Sequence, residues 1–138
     1  MLIDKAVKYY GKEYDFNCAE TILYAANDEY GLNLDKNTFK TMAGFGGGMA
    51  VEGICGVIAG AVAVIGIMFT KERGHESNHV RSLTKEYIEK FEEACSSTQC
   101  GSLKKVHRND EIRCTYMMEK GAWILQDIIE RENKIRIK

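Results

Sequence analysis

Gly53-Ile54-Cys55-Gly56-Val57-Ile58-Ala59-Gly60-Ala61-Val62-Ala63-Val64-Ile65-Gly66-Ile67-Met68-Phe69 runs for seventeen residues without a charge. A membrane span needs ~20 apolar residues and usually draws on Leu and Phe. This stretch is shorter and built from Gly and Ala. Gly56 and Gly60 form a G-x-x-x-G pair. In a bilayer that pair would mark a helix dimer; in a water-soluble fold it lets neighbouring helices approach closely. Nothing else in the chain is hydrophobic enough to accompany a span. The stretch therefore reads as a central helix buried on all sides. The chain has no proline, and its other periodic segments are long. The expected fold is all-α, a single compact domain of about five helices around this Gly/Ala-rich core.

On the N-terminal side lies the turn Gly44-Phe45-Gly46-Gly47-Gly48. A brief helix over Asn37 to Ala43 precedes it. Before that, Asn17 reads as an N-cap with Glu20 three residues on. The helix it starts carries Ile22, Leu23, Ala25, Ala26 and Tyr30, and Gly31 stops it. Leu2 to about Tyr10 is a first short helix closed by Gly11. On the C-terminal side, Lys71 to Glu76 returns the chain to the surface. Val80, Leu83, Tyr87, Phe91 and Ala94 mark an amphipathic helix ending near Cys95. Ser96 to Asn109 reads as turn. Asn109 or Asp110 then caps a last helix bearing Ile112, Met117, Met118, Leu125, Ile128 and Ile129, with a basic tail over Lys134 to Lys138.

The chain has 138 residues, 45% hydrophobic and 28% charged, with a net charge of −1. That size supports a core without disulfide staples. The charge gives no electrostatic case for nucleic acid or an anionic membrane. Met1-Leu2-Ile3-Asp4-Lys5-Ala6 is too soon interrupted by charge to read as a secretory signal. The expected location is cytoplasmic, where thiols stay reduced and cysteines serve as metal ligands or redox centres. The five cysteines are an odd number, which also argues against a fully paired framework.

Four cysteines stand where a thiolate would be favoured. Cys18 follows Asn17 at a helix start, and Cys55 follows the glycine run. Cys100 precedes Gly101 in a polar turn, and Cys114 opens the last helix. Helix starts present unpaired N–H groups and the positive end of the dipole, which stabilise the reactive thiolate. The run of free N–H groups around Gly46, Gly47, Gly48, Gly53 and Gly56 could accept a sulfur or a cluster near Cys55; equally, it could let a helix pack closely. The run is no nucleotide cradle. Met49 stands where G-x-G-x-x-G needs its last glycine, and no Gly-Lys-Ser/Thr follows. His75-Glu76-Ser77-Asn78-His79 matches H-E-x-x-H formally, but its polar surroundings favour a solvated helix start. His107, alone in a basic turn, reads as a surface residue. Cysteine spacing includes no C-x-x-C, and only Cys95 and Cys100 lie close, as C-x4-C. Spacing alone leaves a shared site and five separate packed thiols both open.

Phe16-Asn17-Cys18-Ala19-Glu20, Gly44-Phe45-Gly46-Gly47-Gly48-Met49 and Gly53-Ile54-Cys55-Gly56-Val57-Ile58-Ala59-Gly60-Ala61, followed by single cysteines near 100 and 114, resemble the C_GCAxxG_C_C family. The resemblance runs from about Ala6 to Trp123. It implies a small, largely helical, redox-active protein. It also implies that Cys18, Cys55, Cys100 and Cys114 correspond to the four family cysteines, with Cys95 additional. A related domain occurs in split-Soret-type cytochromes, which carry an iron–sulfur centre. This chain lacks a C-x-x-C-H haem attachment motif, so the haem does not carry over.

The expected function is redox chemistry at four convergent cysteines. These would hold an iron–sulfur cluster, most simply [2Fe–2S], for electron transfer, or cycle through disulfides with Cys18 and Cys114 as nucleophiles. Four cysteines far apart in sequence favour the cluster, since oxidoreductases usually place two close together. The alternatives are a structural zinc site and a helical interaction module without redox activity. The implied partner is a redox protein, with a homodimer through Tyr9, Tyr10 and Tyr14 as a candidate arrangement.

Overall fold

The computed structural model describes residues 1–137. Those residues contain seven α-helices: α1 (Leu2–Tyr9), α2 (Cys18–Tyr30), α3 (Lys36–Lys40), α4 (Gly56–Phe69), α5 (His79–Cys95), α6 (Cys100–His107) and α7 (Thr115–Ile137). Among them there is no β-strand, only two isolated bridges, Ile54 with Gln99 and Asn109 with Arg113. Central helix α4 packs on α2, α5 and α7, while α1 closes over α2 and α7. No helix of the described residues is long and apolar enough to cross a membrane. One face of α4, at Ala59, Val62, Ala63 and Gly66, is only half-buried, and Ile67 is exposed. The helix is thus covered on three sides rather than all round.

Most of the element boundaries follow local chemistry. Asn17 and Glu20 form the expected reciprocal cap: the Glu20 amide donates to Asn17 Oδ1 at 2.8 Å and the Asn17 amide to Glu20 Oε1 at 2.9 Å. Gly31 ends α2 in the left-handed conformation. The brief α3, expected over Asn37 to Ala43, starts one residue earlier, capped by Asp35, and ends at Lys40. Residues 96–109, expected as turn, instead contain α6. Ser96, at φ 73°, stops α5, and Leu103 is the buried anchor of the new helix, while Val106 is 74% exposed. Eight residues with one apolar anchor leave little periodicity to read. The last helix begins later than Asn109. The Asn109 Oδ1 accepts from the Glu111 and Ile112 amides, and the Arg113 amide closes on the Asn109 carbonyl at 2.7 Å. That closed turn delays helix onset to Thr115. Lys138, the end of the basic tail, lies outside the described residues.

The G-x-x-x-G pair holds α2 against α4. A Cβ on Gly60 would lie 2.7 Å from the Ala19 carbonyl oxygen and 3.0 Å from the Ile22 Cβ. One on Gly56 would lie 3.1 Å from the Cys18 Cβ. Only glycine lets the first turn of α2 sit this close to α4. Gly121 does the same for α7: its missing Cβ leaves room for Val57, and its carbonyl accepts the Tyr87 hydroxyl at 3.0 Å. Arg131 ties α7 to α5 with two bonds to Glu86, of 2.6 and 2.8 Å. This contact holds the Glu86 carboxyl down at about 2, so its stabilisation is complete above the ordinary value of 4.5 and lost as pH falls toward 2.

Gly60→Val places branched carbons against the α2 backbone, which cannot yield as a side chain can. We expect it to cost about 2 kcal/mol or more by overpacking, read as a lowered midpoint in urea. A midpoint unchanged from the wild-type chain would show that the α2–α4 approach is not tight.

Candidate functional site

Helix starts bring the four predicted cysteines together. Cys55 and Cys114 occupy N-cap positions: their carbonyls accept the Ala59 and Met118 amides, both at 3.1 Å. Cys18 and Cys100 are the first residues of α2 and α6. All four line one cavity of about 200 Å³. Four helix N-termini therefore point their partial positive charge into a single chamber. Cys95 ends α5, is 1% exposed, and does not line this chamber. Cys100 rather than Cys95 takes the fourth place.

Each placement has a local cause. Asn17, besides capping α2, donates from Nδ2 to the Met42 and Ala43 carbonyls at 3.2 Å. This fastens the glycine turn to the Cys18 end of α2. The turn then winds left-handed through Gly47, Gly48, Met49 and Ala50, with φ between 59° and 64°. Glycine adopts this freely, whereas Met49 and Ala50 do so at a cost of roughly 1 kcal/mol or more each. The Gly53 amide closes the turn on the Gly48 carbonyl at 2.9 Å. A two-residue bridge follows. The Cys55 amide donates to the Thr98 carbonyl at 2.8 Å and the Cys100 amide to the Gly53 carbonyl at 2.6 Å. Thus Cys55 and Cys100, 45 residues apart in sequence, are set side by side by backbone alone.

Of the glycines expected around the site, Gly47 and Gly56 line the chamber. Gly46 lies against Asn17, and a Cβ on Gly48 would meet Gly53 and Cys100. Gly53 supplies the bridge. These three build the wall rather than face the cavity.

Tyr10 holds the other side. Its hydroxyl accepts the Cys114 amide at 3.1 Å and hydrogen-bonds to the sulfurs of Cys18 and Cys114. Arg113 lies over the Tyr10 ring, 4.1 Å from its centroid, and donates to the Tyr10 carbonyl at 2.5 Å. Tyr10 is therefore a buried part of the site, not an exposed interface residue. Tyr9 and Tyr14 stack with Phe16 and Tyr24 within the chain, so they too are half-buried.

The sulfurs differ sharply in acidity. Cys18 and Cys114 hydrogen-bond to one another. The Cys18 thiol donating to Cys114 is the largest cause of a Cys114 pKa brought down to about 6, helped by Tyr10, Arg108 and Lys104 and opposed by burial. The same bond, with desolvation, raises Cys18 well above its ordinary value. Burial pushes Cys55 up to about 11, although the Val57 and Ile58 amides pull it down without a full cap bond. Cys100 is raised by burial, partly offset by Lys104. Of the four, only Cys114 is shifted toward the thiolate, and the thiol beside it is the main cause.

Lys104, Arg108 and Arg113 line the cavity, and among the described residues no acid does. Sequence reading missed these cations and Tyr10. Lys104 lies within α6 and Arg108 ends it, so both would have been legible had that helix been recognised.

The remaining motifs fall elsewhere. His75 sits in a single turn of 3₁₀ helix, Gly74–Glu76, while His79 begins α5 and pairs with Glu132 at 3.1 Å. Glu76 accepts the Lys71, Glu72 and Arg73 amides. H-E-x-x-H is therefore not one helix face. His107, expected at the surface, is half-buried: it stacks on Tyr116 at 4.3 Å and lies 3.0 Å from the Cys95 carbonyl.

The C_GCAxxG_C_C family, described as "Putative redox-active protein", matches residues 16–128. The chain belongs to that family. No curated protein and no solved structure matches it.

In the reduced protein, alkylation of Cys114 by iodoacetamide should rise with pH through about 6 and then level off. Cys55 should keep gaining reactivity toward about 11. Peptide mapping of label against pH checks this; equal profiles at the two positions would contradict it.

Proposed function

We propose that this chain is a dithiol redox protein in which Cys114 is the attacking sulfur and Cys18 the resolving one. The observation that carries the reading is that these two sulfurs meet in one cavity, near enough for each to shift the other's acidity. They lie far apart in sequence, so the spacing argument against a working cysteine pair does not apply to the folded chain. Membership of a family described as redox-active supports the same reading.

The chemistry is thiol–disulfide exchange. The Cys114 thiolate attacks one sulfur of an external disulfide. Its S–S bond breaks, a new bond forms to Cys114, and the departing sulfur leaves as a thiolate that takes a proton from water. Cys18 then gives up its proton and attacks Cys114 Sγ. The mixed disulfide breaks, the second substrate thiolate leaves, and a Cys18–Cys114 bond remains. Two electrons pass from the dithiol to the substrate. Tyr10 holds both sulfurs in register, and the basic wall favours the anionic form that attacks.

A second reading is a [2Fe–2S] cluster held by Cys18, Cys55, Cys100 and Cys114. It is favoured by four soft sulfur donors around one cavity beneath four helix N-termini. Bound there, such a cluster would supply one-electron transfer. The donors fit it in type and in sharing one chamber. Among the described residues no three His, Cys, Asp or Glu side chains are gathered to hold a single metal ion, as a structural zinc site requires.

Cys18→Ser tests the leading reading. With the resolving sulfur gone, reaction with a disulfide should stop at the mixed disulfide on Cys114, seen by mass spectrometry. The unmodified chain should proceed to a Cys18–Cys114 bridge. A bridge between other cysteines, or a modified Cys114 that resolves equally fast without Cys18, would contradict it.

A further inference from the structure

We propose that the chamber selects small, carboxylate-bearing disulfides as its oxidant, drawn in by the basic wall of α6. This rests on the dithiol reading above and names its substrate class. Lys104 on α6 and Arg108, the residue that ends it, both line the cavity, and Arg113 adds a third cation. Among the described residues no acidic side chain lines it. The cations differ in availability. Arg113 is committed to Tyr10, and Lys104 makes a long, solvent-screened ion pair with the exposed Glu52, at 3.9 Å. Arg108 is exposed and is paired with no carboxylate among the described residues. Lys104 and Arg108 are therefore the groups able to meet an incoming anion.

The size of the chamber decides between a small molecule and a protein. Cys55, Cys100 and Cys114 are 8% exposed or less. The cavity holds about 200 Å³, below the roughly 300–1,000 Å³ of ordinary ligand pockets. Exchange needs in-line approach to sulfur, so a chamber this small favours a flexible disulfide with small arms over one fixed in a folded protein. A bare thiolate repels a carboxylate-bearing disulfide. Here two further cations beside the attacking sulfur invert that preference, and low-dielectric walls strengthen their field.

The step balances as above. The external disulfide is the oxidant and is reduced to two thiols. The Cys18–Cys114 pair is oxidised to a disulfide, and the Cys18 proton and one proton from water end on the two product thiols.

Three disulfides test this on the reduced full-length chain without oxygen: dithiodiglycolate (two carboxylates), bis(2-hydroxyethyl) disulfide (neutral) and cystamine (two ammonium groups). Each rate is divided by that of 2-mercaptoethanol with the same disulfide, which removes intrinsic reactivity. We expect the normalised rate to favour the dianion over the neutral disulfide about tenfold, with the dication slowest. The dianion preference should collapse toward unity in about 0.5 M salt. It should collapse in the same way in Lys104→Gln/Arg108→Gln. The salt series uses the native chain, so the test stands even if that variant folds poorly. Equal normalised rates, or cystamine fastest, would overturn the substrate class while leaving the dithiol reading intact. If none of the three forms the Cys18–Cys114 bond, the dithiol reading itself fails.

Discussion

The site depends on a distance that only glycine permits. Gly56 and Gly60 let the first turn of α2 lie directly on α4, with the Ala19 carbonyl only 2.7 Å from where a Gly60 Cβ would stand. Cys18 opens one of these helices and Cys55 caps the other, so the contact that builds the core also brings two sulfurs to one place. Gly121 repeats the device for α7 and sets the direction from which Cys114 arrives. The Ile54–Gln99 bridge adds Cys100. Small residues and backbone bonds together hold four chain segments at one place.

The electrostatics of the chamber result from two opposed effects. Burial disfavours thiolate at every one of the four positions. Helix N-termini, the Tyr10 hydroxyl and the α6 cations favour it. At Cys114 the favourable contacts win, because a neighbouring thiol donates to it directly. At Cys55 burial wins despite two amides in reach. Four similar placements therefore differ in acidity: Cys114 is shifted toward the thiolate and the other three away from it.

Much of this was legible beforehand. The uncharged Gly53–Phe69 stretch identified the central helix, and the Asn17 and Glu20 pair identified the start of α2. Helix-start placement pointed to Cys18 and Cys114, and the family resemblance added Cys55 and Cys100 to the cysteines that line the chamber. What stayed hidden was long-range or weakly periodic. Helix α6 has one buried apolar anchor, so its residues read as turn, and with it went the cations of the chamber. Tyr10 reads as one of several tyrosines near an exposed helix end; its role comes from the return of residues 113 and 114 past α1, over a hundred positions later. The pairing of Cys18 with Cys114 is equally non-local, and no spacing rule reaches it.

The central claim is that the working group is a pair of sulfurs rather than a bound metal centre. The most direct test is an oxygen-free redox titration of freshly purified chain, with iron, sulfide, zinc and free thiols determined on the same sample. The account predicts a colourless protein without stoichiometric metal, taking up two electrons per chain as one Cys18–Cys114 disulfide opens. Iron with matching sulfide, visible absorption and a one-electron transition would contradict it and transfer the four cysteines to a cluster.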